Sequence, residues 1–167
     1  MTGSRSKRYT DRPLPAYRHL PGVTPHPTRD PEGHSFGQPE QSLPDLNHED
    51  WRKSEEFLFG IDLFNEGYWW ECHEVLEGLW HASGLGTEAA HVLQAVIQCA
   101  AAHLKASTDR PVGAMRLHDH SVRHARWSGS RKLGLDLEAM VRDTRAYITV
   151  EDVGPAQLVL EFPGKIK

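Results

Sequence analysis

From Asn47 onward, apolar residues recur at spacings of three and four, and short breaks of Gly, Ser, Thr and Asp interrupt them. That period marks amphipathic helices. Asn47 is a plausible N-cap, and the first helix is predicted from about His48 to Glu66. Trp51, Phe57, Leu58, Ile61, Leu63 and Phe64 supply its apolar face, and Gly67 suits the position just past its end. A second helix is predicted from Tyr68 to about Ala82, stopped by Ser83-Gly84-Leu85-Gly86. A third follows a Thr87 cap and runs to about Ala106. A fourth follows Thr108-Asp109-Arg110, with Pro111 in its first turn, and reaches about Ser128. Ser128-Gly129-Ser130 is a break, after which Asp136 caps a fifth helix, Leu137 to about Ile148. Short breaks make neighbouring helices antiparallel. The expected fold is all-α: a compact bundle of about five helices with short antiparallel connections, occupying residues 47–150.

The two ends have a different pattern. Eight of the eleven prolines lie between Pro13 and Pro44, which excludes regular helix there because proline lacks an N–H and fixes φ. Residues 1–46 therefore form a Pro-rich irregular arm. Leu14, Tyr17, Leu20, Val23 and Phe36 are spaced through it as anchors for draping over the body, while Met1–Thr10 has the composition of a disordered end. Residues 151–167 form a C-terminal tail. Gln157 to Phe162 alternates enough for a short extended segment, but one strand makes no sheet.

Composition narrows the function. A hydrophobic share of 38% and a mean hydropathy of -0.56 fit a chain of which part contributes nothing to a core. The net charge of -4 disfavours nucleic acid as a partner. No apolar run approaches the roughly 20 residues that span a bilayer, so no membrane association is expected. The basic N-terminus precedes no apolar stretch of the kind a signal peptide needs. With that, the two cysteines, Cys72 and Cys99, read as free thiols in a cytoplasmic protein.

The chemically loaded stretch is Trp70-Glu71-Cys72-His73-Glu74-Val75-Leu76-Glu77. With Glu71 at zero and about 100° per residue, Tyr68, Trp69, Cys72, Val75, Leu76, Leu79 and Trp80 form the core face. Trp70, His73, Glu74, Glu77 and His81 share a second stripe, and Glu71 stands further round. His73 and Glu77 are one turn apart. That spacing aims several ligand atoms at one divalent metal ion, or sets a general base beside a tuning partner. The string is not the zinc-protease pattern, which needs a second histidine where Glu77 stands. Nor does it contain the Glu-x-x-His pair of di-iron bundles. A helix face rich in Glu and His is also usually just solvated.

The third helix is apolar nearly all round, as in a central element. Its polar stripe is His91, Gln94, Gln98 and Lys105, whereas His103 falls beside Val92, Val96 and Cys99. His103 is read either as a core histidine satisfied by a carbonyl or as a group facing the glutamates of the second helix. Gln94 and Gln98 would then line the same groove, with Trp70 and Trp80. His118, His120 and His124 lie on the fourth helix among Arg116, Arg123 and Arg126. They read as a solvated cationic face, on which His120 and His124, one turn apart, can bind a divalent ion adventitiously.

The pattern Phe64-Asn65-x-Gly67-x-x-Trp70-Glu71-x-His73-Glu74-x-Leu76-Glu77-x-x-Trp80, followed by Leu93-Gln94-x-x-Ile97-Gln98-x-Ala100, resembles the domain of unknown function numbered 309. Leu20-Pro21-Gly22-Val23-Thr24-Pro25-His26-Pro27 resembles the arm that precedes this domain in some members. The resemblance implies a compact helical bundle and no activity. It covers Glu71, His73, Glu74, Glu77 and Trp80, and it leaves out the histidines of the fourth helix. Two functions compete. One is a small-molecule or metal site, with hydrolytic chemistry within its reach. It is built from Glu71, His73, Glu74, Glu77 and His103, with metal at His73 and Glu77 and with His26 or His34 of the arm closing over it. The other is a non-catalytic helical module that binds a protein segment. A homo-oligomer is compatible with either.

Overall fold

The computed structural model describes residues 7–46 and 50–163. Five helices follow one another: α1 (Glu55–Asn65), α2 (Trp69–Ser83), α3 (Glu88–Ser107), α4 (Pro111–Ser128) and α5 (Leu137–Thr149). Between α4 and α5 lies a hairpin of two-residue strands, β1 (Arg131–Lys132) and β2 (Leu135–Asp136). The all-α bundle is therefore as the periodicity predicts. The predicted Asn47 cap and the start at His48 lie outside the described residues.

The helix ends follow local chemistry. A single 3-10 turn, Trp51–Lys53, precedes α1, and Ser54 accepts the Phe57 N–H as its cap. The first helix thus begins later than the apolar pattern predicts, because the Ser54 hydroxyl claims the terminal donor and leaves Trp51 in the turn before it. At the other end, the Tyr68 N–H bonds to the Leu63 carbonyl and the Gly67 N–H to that of Phe64. This is the Schellman pair, and it needs the left-handed conformation that Gly67 adopts at φ +81°. Tyr68 is already the cap position of α2, so the turn between the two helices is as short as it can be. Thr87 and Asp136 cap α3 and α5 through their side chains, as predicted. Arg110, in the cap position of α4, makes no side-chain cap bond, and Pro111 opens that helix.

The core is built around α3. Val92, Leu93, Ala95, Val96, Cys99, Ala100, Ala102 and His103 on it are buried, and it packs against α2, α4 and α5. Gly60 lets α1 lie close on α2: a Cβ there would sit 2.4 Å from Leu76 Cδ2. The hairpin was not legible in the sequence. It turns on Leu133 (φ +50°) and Gly134 (φ +74°), the pair of left-handed residues that a two-residue hairpin requires. Leu133 holds that unfavourable conformation while its side chain is buried in the core.

The tail after α5 is extended, with Ala156, Leu158 and Leu160 buried and Gln157, Val159 and Glu161 exposed. Among the described residues it has no partner strand, and other groups take its backbone donors. The Ala156 N–H goes to His103 Nε2 (3.1 Å), the Leu158 N–H to Asn65 Oδ1 (2.7 Å) and the Leu160 N–H to the Tyr9 hydroxyl (2.8 Å). The Glu161 N–H reaches the Gly134 carbonyl of the hairpin.

His103 is fully defined by these contacts. Its Nδ1 donates to the Cys99 carbonyl (2.8 Å) and its Nε2 accepts from Ala156. The ring must therefore be neutral, with its proton on Nδ1. Burial lowers its pKa to about 4, partly offset by the Cys99 hydrogen bond. Because the folded pKa lies below the unfolded value of 6.5, the stabilisation is complete above pH 6.5 and is lost as pH falls toward 4. The shift corresponds to roughly 3 kcal/mol. Urea unfolding of wild type and His103→Gln between pH 7 and pH 4 should show a steeper loss of stability in the wild type. Parallel pH dependences would refute this account of the ring.

Candidate functional site

The arm reaches the bundle through two buried carboxylates. Asp62 of α1, 1% exposed, accepts the N–H groups of Tyr9 (2.7 Å) and Thr10 (3.0 Å) and the Thr10 hydroxyl (2.7 Å). Arg8 Nε lies 3.6 Å from it. Tyr9 and Thr10, which composition places in a disordered end, are thus fastened to the core. Met1–Ser6 lie outside the described residues. Glu71 of α2, 4% exposed, receives the His19 N–H (2.8 Å) and His34 Nε2–H (2.9 Å) on a single oxygen, Oε1. Its other oxygen, Oε2, is buried with no donor among the described residues.

Around Glu71 the arm makes a small imidazole-rich fold of its own. His19 Nδ1 pairs with the Thr24 hydroxyl and His34 Nδ1 with the Ser35 hydroxyl, each at 2.8 Å. His19 and His26 both set their rings edge-on to Trp70. Burial lowers the His19 pKa, opposed by Glu71 and reinforced by His26 and His34. Of the predicted anchors, Leu14 packs on the core and Tyr17 sets its ring against that of His34 at a tilt of 55°. Val23 and Phe36 do not serve as anchors, being 77% and 50% exposed. Further along, Leu43 packs beside Gly78 and the Leu46 N–H bonds to Ser83 Oγ. The arm therefore follows α2 from its first turn to its last.

On the open side of α2, the predicted stripe brings three groups together. His73, Glu74 and Glu77 each offer a ligand atom, and these atoms all lie within 4.8 Å of one another. His73 Nε2 is 3.2 Å from Glu77 Oε2 and its Nδ1 3.5 Å from Glu74 Oε1. His81 Nε2 approaches the other Glu77 oxygen at 3.7 Å. Glu74 and Glu77 line an open cleft of about 750 Å³ between α2 and the arm, with Glu40 and Leu43 opposite and Glu56 of α1 at its side. Burial raises the Glu74 pKa, and the Glu77 charge adds to this against the opposing pull of His73. His26 and Arg29 of the arm are near enough to pull it down as well. His26 thus reaches the stripe at Trp70, edge-on at 5.4 Å, whereas His34 is committed to Glu71.

The other residues singled out from the sequence stand apart from this cluster. Glu71 is under the arm. His103 does not face the glutamates: it packs against Phe64, Trp69 and Tyr147, and both its nitrogens are bonded as described above. Trp80 and Gln94 line a different depression, beside His91 and His124. Gln98 donates to Gln94 Oε1 (3.2 Å). Trp70 is covered by His19 and His26. Sequence reasoning missed Asp62 altogether, although an acid inside Phe59-Gly60-Ile61-Asp62-Leu63-Phe64 is itself a signal. A charge on a buried face must have partners.

The fold and site define a compact helical bundle whose second helix carries a His/Glu cluster beside a cleft. Residues 57–117 match the model of the family described as Domain of unknown function (DUF309), so the resemblance read from the motifs holds over that segment. The match runs from the first turn of α1 into α4 and contains Glu71, His73, Glu74, Glu77 and His103. The arm motif around Pro21 lies outside it. No curated protein matches the chain. No described helix is long and apolar enough to cross a membrane.

Removing the Glu71 carboxylate leaves His19 N–H and His34 Nε2–H without an acceptor. Each hydrogen bond to a charged group is worth about 1.5–3 kcal/mol, enough to open the arm locally. Tryptic cleavage after Arg29 should therefore be at least about tenfold faster in Glu71→Ala than in wild type under native conditions. Equal cleavage rates would show that Glu71 does not hold the arm.

Proposed function

We propose that this chain is a metal-binding helical domain whose site is the His73–Glu74–Glu77 cluster. The observation that carries the reading is the convergence of one imidazole and two carboxylates within 4.8 Å, with both carboxylates lining a cleft. One nitrogen and two carboxylate oxygens suit a divalent ion such as Zn²⁺ or Mn²⁺. Three protein ligands leave coordination positions open for water or a substrate oxygen. A bound ion there would relieve the repulsion between Glu74 and Glu77.

The chemistry such a site equips is hydrolytic, because a divalent ion lowers the pKa of its water and polarises a carbonyl or phosphoryl oxygen. Glu40, Glu56, Glu74 and Glu77 give the cleft an acidic wall. Arg12 engages Glu56 at 2.8 Å. A neutral or cationic small molecule fits that wall better than an anion unless the ion itself is the anion's partner. In this reading the arm belongs to the site as its cover, through the segment that carries His26, Glu40 and Leu43, and the protein works in the cytoplasm.

A second reading, a module that binds a protein segment, is favoured by Leu85 (80% exposed) and Trp127 (67% exposed). Exposed apolar side chains of this size mark contact surfaces when they are contiguous.

Elemental analysis of untagged protein tests the first reading, with a His73→Ala/Glu77→Ala variant of verified fold as the comparison. A near-stoichiometric divalent metal is expected in the wild type and a loss of one equivalent in the variant. Equal metal content in the two proteins, or none in either, would overturn the metal site.

A further inference from the structure

A second set of ligand-bearing side chains stands where α3 meets α4. His91 Nδ1 and His124 Nδ1 face each other at 3.0 Å. At that distance one nitrogen carries a hydrogen and the other accepts it, so the pair accommodates one proton between the facing atoms and not two. Trp127 lies flat on His91, with centroids 4.3 Å apart and planes within 19°. His120, one turn before His124, lines the same surface depression of about 300 Å³ as both rings and Trp127, with Arg123 at its side. A second depression, with Trp80 and Gln94, flanks the pair on its other side. Among the described residues, no carboxylate lines either depression.

Three imidazoles with no carboxylate form a donor set unlike that of the α2 cluster. They favour late transition-metal ions over Mg²⁺ and Ca²⁺, which require oxygen. The 3.0 Å separation is close to what an ion requires: Zn–N bonds of about 2.0–2.1 Å at a tetrahedral angle put two nitrogens about 3.3 Å apart. An ion needs the two rings to turn their Nδ1 lone pairs outward from the line that now joins them. His120 is exposed and free to swing, and two histidines at i and i+4 on one helix supply two ligands to one ion. The neutral ring is the ligand form.

We propose that His91, His120 and His124 form a binding site for a divalent ion of the zinc and copper class between α3 and α4. Trp127 is a positioning residue that fixes the plane of His91, and the fourth coordination position opens to solvent. The site is independent of the His73–Glu74–Glu77 reading.

The test uses untagged full-length protein stripped with chelator, in both the wild type and the His73→Ala/Glu77→Ala background. Co²⁺ is added as the spectroscopic probe and Zn²⁺ as the competitor. In the double variant we expect one equivalent of Co²⁺ with the visible absorption of a tetrahedral nitrogen-ligated ion, displaced by Zn²⁺ and indifferent to excess Mg²⁺. His124→Ala should abolish the band. His120→Asn, a change at an exposed position that leaves the fold intact, should weaken binding at least about tenfold, since even partners of metal ligands contribute 10–100-fold. Trp127→Phe should retain the band. Absence of a tetrahedral band in the double variant, or its persistence at undiminished affinity in His120→Asn, would overturn the proposal. If His124→Ala fails to fold, the His120→Asn titration still decides.

Discussion

Asp62 and Glu71 are carboxylates buried in the helical bundle, at 1% and 4% exposure. Arg8 Nε lies 3.6 Å from Asp62, beyond hydrogen-bond distance, and contributes charge but no hydrogen bond. Each carboxylate is hydrogen-bonded by the arm: Asp62 by Tyr9 and Thr10, Glu71 by His19 and His34. Buried carboxylates left without such donors are strongly unfavourable. The bundle therefore depends on a segment with no regular structure, and that segment depends on the bundle for its path. Proline suits this role. It stiffens the arm and removes donors that would otherwise need partners, while the N–H groups of Tyr9, Thr10 and His19 are aimed inward at the two acids.

What could be read from the sequence divides along the same line. Helices whose ends are set by neighbouring residues were legible: Thr87 and Asp136 cap α3 and α5, and Gly67 closes α1. So was the stripe of α2, because helical spacing alone brings His73, Glu74 and Glu77 together. The start of α1 was not, since Trp51 continues the apolar pattern into a turn that Ser54 has already excluded from the helix. Glu71 could be placed on its helix but not explained, because His19 and His34 lie 52 and 37 residues away in the chain. His103 shows the same limit. Its apolar setting was legible, but the tail N–H that occupies its second nitrogen was not.

The two histidine clusters illustrate how one residue type acquires different chemistry from its surroundings. His73 stands between two carboxylates, at 3.5 and 3.2 Å, in a field that favours cations. His91 and His124 face one another, and among the described residues no acid lines the depressions they share. The first environment suits ions that tolerate oxygen; the second suits ions that prefer nitrogen. The helices that carry them are joined through α3, so either arrangement rests on the same apolar core.

The tail has a consequence for the order in which the molecule assembles. A strand in a sheet can nucleate against its neighbour, but the acceptors for Ala156, Leu158 and Leu160 come from α3, α1 and the arm. They converge only once those three have docked. The Leu160–Tyr9 bond spans 151 residues, and so long a closure is a late event in folding. The tail therefore acts as a proofreader of the assembled bundle: it can lock in place only on a body whose helices and arm have already found their native register.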